Sequence, residues 1–259
     1  MKPILVKGRP LAEGRSAVCV PLVGRTDEAL LAEAVAAAAL EPDLIEWRVD
    51  FYDGIAQQAQ VLAVAAALRQ RLGGLPLLFT RRSAREGGQP VGLDEAGVVA
   101  LYQAVCQAGA AELVDLEMGG PADGVQAVQA AARQHGLTVV LSFHDFRATP
   151  PLDDLAQRFL QAERLGADVA KVAVMPRSMA DVLTLLTATQ QASERLSIPL
   201  VSMSMGAQGA ISRICGGAFG SALSFGVGLA PSAPGQLPAP GLMAALALLQ
   251  AAGTPPARG

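Results

Sequence analysis

Two hydrophobic patterns alternate along the chain. Short, nearly unbroken apolar runs fall at residues 17–22, 44–49, 75–80, 113–116, 138–143, 169–174, 199–203 and 222–227. Between most of them lie Ala-, Leu-, Gln- and Arg-rich segments of helical length, at 26–38, 55–72, 94–108, 124–135, 153–165 and 178–193, and a further one at 241–252 closes the chain. Runs without polar alternation suit parallel strands that helices cover on the outside. Eight strand–helix units of about 30 residues predict a (β/α)₈ barrel. The seventh unit is the least regular, because residues 206–219 are rich in glycine and leave room for only a short helix. A doubly wound open sheet is the alternative, but no G-x-G-x-x-G follows the first strand. No Pro/Gly/Ser-rich linker divides the chain, so residues 1–259 read as one domain. Residues 4–7, with a turn at 8–10, fit either a hairpin plugging the barrel floor or a tail.

Composition narrows the function. With 51% apolar residues in a chain of 259, disorder is excluded. A net charge of −3 argues against a general nucleic-acid binder, which needs a basic face. The longest apolar stretches, 34–40 and 242–249, fall well short of the ~18–20 residues that span a bilayer. The first ten residues hold no apolar run of signal-peptide length. Cys19, Cys106 and Cys215 are far apart, without metal or redox spacing. A soluble, cytoplasmic protein is expected. One count is uneven: 17 of the 20 basic residues are Arg, and Lys171 is the only Lys after position 7.

In a barrel, chemistry gathers at the C-terminal ends of the strands. Those positions carry Glu46, Arg48 and Asp50; Arg82 and then Glu86; Asp115 and Glu117; His144; Lys171; Met203 and Met205; Arg213; Ser232 and Gln236. Lys171 stands inside the apolar run VAKVAV. Burial disfavours a charged amine, Lys surrenders its proton where Arg does not, and a neutral amine attacks ketones to form an imine. The alternative is a structural Lys paired with Glu46 or Glu117. His144, directly after an apolar strand, suits a general acid–base, whereas His135 precedes a glycine at a helix end and reads as a cap. Arg48, Arg82 and Arg213 suit an anionic substrate. The chain has no His-x-His or His-x-x-x-His spacing for a metal.

Together these residues resemble the type I 3-dehydroquinate dehydratase family. The matching blocks are EWRVDFY (46–52), FTRRSAREGG (79–88), SFHDF (142–146), GADVAKVAVMP (166–176), SMSMGAQGAISR (202–213), FGSALSFG (219–226) and SAPGQLP (232–238). The resemblance implies a (β/α)₈ barrel, a homodimer, no metal or organic cofactor, and dehydration of 3-dehydroquinate to 3-dehydroshikimate in the shikimate pathway. It implies Lys171 as the Schiff-base lysine, His144 as the general acid–base and Glu86 as its orienting partner. Glu46, Arg48 and Arg82 would contact substrate hydroxyls and Arg213 the carboxylate. Ser232 and Gln236 would lie in a closing loop, and Met203, Met205 and Phe225 would line the pocket. Arg81, Gln89, Gly217 and Ala207-Gln208 depart from the family's common pattern at positions without an implied chemical role. Two rival functions are a class I aldolase or transaldolase, and a catalytically silent barrel that binds a metabolite.

Overall fold

The computed structural model describes residues 1–253; residues 254–259, which the single-domain expectation includes, lie outside the described residues. The chain opens with a small antiparallel hairpin, β1 (Leu5–Val6) and β2 (Arg9–Pro10). Eight parallel strands follow: β3 (Ala17–Leu22), β4 (Leu44–Arg48), β5 (Leu77–Thr80), β6 (Leu113–Glu117), β7 (Thr138–Asp145), β8 (Val169–Val174), β9 (Leu200–Ser204) and β10 (Leu223–Val227). They pair in sequence order, with β10 beside β3 and a two-residue strand β11 (Leu237–Pro238) beside β10. The sheet curls until its ends meet. Leu200 of β9 bridges Ser221 just before β10, and the Ala222 N–H donates to the Leu200 carbonyl at 2.8 Å.

Eight helices connect and cover the strands: α1 (Asp27–Ala38), α2 (Gln58–Leu72), α3 (Glu95–Gln107), α4 (Ala122–Gln134), α5 (Leu152–Arg164), α6 (Met179–Arg195), α7 (Gly206–Cys215) and α8 (Ala239–Gly253). Local signals set their starts. Thr26 and Asp94 accept from backbone N–H groups of the first turn, and Ser178 with Asp181 forms a reciprocal capping box. His135 caps the end of α4. The seventh unit carries the short helix that its glycines predict. Strand and helix boundaries otherwise lie within a few residues of the hydropathy pattern; the largest shift is the start of α2, three residues later than the apolar run.

Because side chains alternate along a strand, each strand feeds two cores. The outward side chains, including Trp47, Phe79, Val114, Leu141 and Val172, pack under the helices. The inward ones make a separate cluster of Ala17, Cys19, Leu44, Leu78, Leu113, Val140, Val169 and Val201. Ile4 and Val6 of the hairpin segment belong to this inner cluster, and Ile4 is 2% exposed. Residues 4–10 therefore form a hairpin that plugs the barrel floor, not a tail. An apolar floor excludes water from below and leaves polar inward positions only toward the strand C-termini, where the site is built.

Ile4→Ala removes a buried branched side chain from this plug. It is expected to lower unfolding stability by about 2–5 kcal/mol, measured by urea denaturation, while kcat/KM stays unchanged because the site lies at the opposite end of the barrel.

Candidate active site

Above the apolar floor the inward positions turn polar on five consecutive strands. Strand parity and register decide which side chains meet. Ser142 on β7 pairs in register with Lys171 on β8, and His144 with Ala173, so Ser142, His144 and Lys171 all face the barrel interior. Asp115 and Glu117 share the inward parity of Leu113 on β6.

Asp115 is the hub. Its carboxylate, fully buried, lies 2.7 Å from Lys171 Nζ and 2.7 Å from an Arg82 nitrogen, and accepts from the Ser142 hydroxyl at 2.6 Å. Burial alone would raise this carboxyl, but the Arg82 and Lys171 charges, with His144, outweigh it and hold it well below the usual carboxylate range. Lys171 is 5% exposed, sits 4.0 Å from Glu46, and points its ammonium at the face of Phe225, 4.6 Å from the ring centre. The sequence suggests Glu46 or Glu117 as partners for this amine. Its close partner is instead Asp115, whose inward position between Val114 and Leu116 is the same signal that singled out Lys171: a charge inside an apolar strand.

His144 stands behind a second carboxylate. Glu86 Oε2 lies 2.9 Å from His144 Nδ1 and also accepts from the His144 backbone N–H at 3.1 Å. Burial, then the charges of Arg82 and Lys171, holds the imidazole well below its ordinary value despite the opposing Asp115. The neutral ring is therefore favoured, and where Glu86 is ionised an Nδ1–H directed at it leaves the Nε2 lone pair free to take a proton. Burial also pushes the Glu86 carboxyl up to about 8; Arg82 opposes this, while Glu117 and Asp115 add to it.

The structure separates three arginines that look alike in the sequence. Arg48 forms a bidentate pair with Asp50, 2.8 Å on each arm, and its third contact is the Ser232 carbonyl at 3.1 Å. Arg82 is shared among Asp115, Glu117 at 3.2 Å and Glu86 at 3.6 Å. Arg213 on α7 is 2% exposed and has no salt bridge to a carboxylate among the described residues. Its contacts are the Met203 sulfur at 3.5 Å and the Pro234 carbonyl at 3.2 Å, and its Nε–H is buried without a partner. Burial lowers this guanidinium to about 10.

A cavity of about 380 Å³ opens at this end of the barrel. Glu46, Arg82, His144, Lys171, Met203, Met205, Arg213, Phe225, Ser232 and Gln236 line it, together with Phe146, Ala173 and Ala233. Arg48 and Glu86 lie behind this lining, acting on Ser232 and His144 respectively. The 230–240 loop is folded down over the cavity. Gln236 Oε1 accepts from the Ser232 and Ala233 N–H groups, and Pro234 O accepts from the Gly206 N–H and from Arg213. Gly235 has φ +75, and a Cβ there would sit 2.2 Å from the Gly206 carbonyl, so only glycine lets the loop come this close. Asp115, Asp50, Ser142 and Thr80 carry no role that the sequence alone implies, yet Thr80 donates to Glu46 at 2.8 Å and Asp50 holds the Arg82 and Gln89 N–H groups. The Gln89 departure is thus made through backbone at this point, and Gly217 leaves space that a Cβ would take from Ser16, 2.5 Å away.

A family model described as type I 3-dehydroquinase matches residues 18–252. The 3-dehydroquinate dehydratase of Albidiferax ferrireducens is 51% identical over 252 residues, covering 97% of this chain and 96% of that protein. The crystal structure of 3-dehydroquinate dehydratase from Geobacillus kaustophilus superposes with a TM-score of 0.94 at 44% identity, covering 98% of each chain. The type I enzyme from Clostridium difficile, solved with covalently modified comenic acid, superposes at 0.93 with 36% identity, covering 97% of this chain and 99% of that one.

The Glu86–His144 pair titrates as a unit. A carboxyl raised to about 8 keeps its proton below that pH, and only its ionised form draws the Nδ1 proton and frees Nε2. Turnover is expected to rise with pH through about 8. Glu86→Gln is expected to flatten that limb and to lose part of the roughly 10²–10⁴-fold that a positioned acid–base contributes. A pH profile of kcat for the two proteins checks both.

Proposed function

The chain belongs to the type I 3-dehydroquinase family, hydro-lyases that dehydrate 3-dehydroquinate in the shikimate pathway, and from that premise we propose that the reaction runs through an imine on Lys171 with His144 moving the protons. The observation that carries this reading is the single interior amine, 2.7 Å from Asp115 and beside a neutral, Glu86-oriented histidine.

The substrate's carboxylate is the partner that the buried Arg213 guanidinium lacks, and binding there sets the ring between Lys171 and His144. The resting ammonium passes a proton through His144 to the C3 oxygen as Lys171 Nζ adds to the C3 ketone. The carbinolamine loses water, with His144 as proton carrier, to give an iminium at C3. The iminium withdraws electrons from C2, so His144 Nε2 removes a C2 proton and an enamine forms. The electron pair returns toward C1, the C1–O bond breaks, and His144 returns its proton to the departing hydroxyl, which leaves as water. A second water hydrolyses the conjugated iminium and frees the amine. Asp115 serves this sequence as a fixed counter-charge: it stabilises the cationic nitrogen of each intermediate and, held far below the carboxylate range, does not take the proton itself. Arg could not replace Lys171, because a guanidinium holds its proton and forms no imine. The covalently modified comenic acid in the Clostridium difficile relative is consistent with a nucleophile in the same fold.

Arg48 and Arg82 act mainly through their neighbours in this reading. Arg82 balances the carboxylates around Lys171, and Arg48 holds the loop at Ser232 while Gln236 folds that loop on itself. Met203, Met205 and Phe225 give the ring an apolar wall. No described helix is long and apolar enough to cross a membrane. Three free cysteines suit a reducing, cytoplasmic location. A homodimer is the assembly the family implies; Met179 and Leu183, one turn apart on α6, are exposed.

Borohydride added during turnover is expected to fix a ring adduct on the peptide bearing Lys171, read by mass spectrometry; an unmodified Lys171 in enzyme inactivated this way overturns the imine. Lys171→Arg is expected to fold normally and to form no enone absorbance. Arg213→Gln removes a charge-assisted contact worth about 1.5–3 kcal/mol, so KM for dehydroquinate is expected to rise about 10- to 150-fold in steady-state kinetics.

A further inference from the structure

A groove on the outside of the barrel, between α3 and α4, has no part in the chemistry above. Counting the solvent at its open mouth it spans about 450 Å³, lined by Val98, Val99, Val125 and Val128, with Arg81, Arg85 and Glu95 at one end. The charges at that end do not balance. Glu95 is one carboxylate between two guanidiniums, 4.0 Å from Arg81 and 3.7 Å from Arg85. Glu117, also on the wall, is engaged by Arg82 and by the Ser83 N–H at 2.6 Å. The Arg81 side chain is 12% exposed, and its Nε–H is buried with no acceptor. The start of α4 reaches the same space through Gly120, Pro121 and Gly124, and its N-cap, Pro121, offers no side-chain acceptor. Unpaired N–H groups and the positive end of a 13-residue helix add to the pull on an anion. Asp123, in that first turn, is exposed and does not line the groove.

The groove also touches the supports of the catalytic network. The Arg81 backbone N–H donates to the Tyr102 hydroxyl at 2.7 Å, and that hydroxyl donates to the Asp115 carbonyl at 2.7 Å. Tyr102 lines the groove, and Glu117 is shared between the groove wall and Arg82.

We propose that this groove is a regulatory site for a small carboxylate with an apolar body. The acid group meets Arg81 and the start of α4, and the body lies among the valines. Seating a ligand there fixes the Arg81 segment and Glu117, and through Tyr102 and Arg82 it changes how firmly Asp115 and Lys171 are held. Such coupling requires the ligand to favour one arrangement of these shared residues over another, and it then acts equally on both binding equilibria.

Benzoate is the probe. Calorimetric titration of the full chain is run with and without saturating 3-dehydroshikimate, which fills the catalytic cavity. Binding is expected to persist with the product present and to weaken at least tenfold in Arg81→Gln and in Val99→Phe, which fills the groove. Circular dichroism verifies that both variants are folded. Benzylamine, of similar shape and opposite charge, is expected not to bind. Benzoate is expected to change kcat/KM at least twofold in the native protein and in neither variant. No binding, complete displacement by product, or equal binding by both variants overturns the site; binding without any change in turnover overturns its regulatory role.

Discussion

One buried carboxylate organises the catalytic end of this barrel. Asp115 sits at zero exposure between the guanidinium of Arg82 and the ammonium of Lys171, with Ser142 closing the third side. A lone charge at this depth would cost several kcal/mol. Two cations and one carboxylate, flanked by Glu46, Glu86 and Glu117, make a network in which each group is held by its neighbours. Removing Asp115 leaves two cations facing each other, and removing Lys171 leaves Arg82 to answer all the carboxylates. The same network prepares the histidine: its cations, added to burial, keep the ring neutral, and Glu86 fixes its orientation.

The site is unequal by design of its contacts. Its Lys171 end is satisfied within the protein, whereas its Arg213 end is not. Arg213 is almost fully buried, with a sulfur and a carbonyl for company and an orphaned Nε–H. Buried cations lacking a carboxylate are rare because they cost so much, and in the proposed function this one takes an anionic group of the substrate. The loop over the cavity hangs from the same residues, through Pro234 on Arg213 and Ser232 on Arg48. Loop position is thus tied to two guanidiniums, one of which, in the proposed function, meets the substrate. The apolar floor, plugged by Ile4 and Val6, keeps water from entering the network from below.

Much of this was open to reading from the residues. Eight unbroken apolar runs, spaced about 30 residues apart, are enough to specify parallel strands under helices, because no other common arrangement buries both faces of every strand. Lys171 stands out because an Arg-rich chain keeps one Lys inside an apolar run, and the structure buries it there. His144 and Arg213 are legible as polar groups after strands, and the roles of His144, Glu86 and Arg213 come from the resemblance alone. The hairpin stayed ambiguous because four residues of pattern do not distinguish a plug from a tail; contact with the inner face of the barrel does.

Partner choice was decided only when the sheet closed. Arg48, Arg82 and Arg213 are one residue type at similar positions, yet one is locked to Asp50, one is spread over three carboxylates and one has no carboxylate partner among the described residues. The partners of Lys171 and Arg82 come from strands 30 to 60 residues away in sequence. Which side chains meet depends on strand register, on the curl that brings β9 to β10, and on how far α7 pushes Arg213 inward. Hydropathy reports the burial of a residue and not the identity of its neighbour. Local order therefore told which groups are present and which are buried, while the closed barrel alone determined which charges cancel and which guanidinium is left without a carboxylate among the described residues.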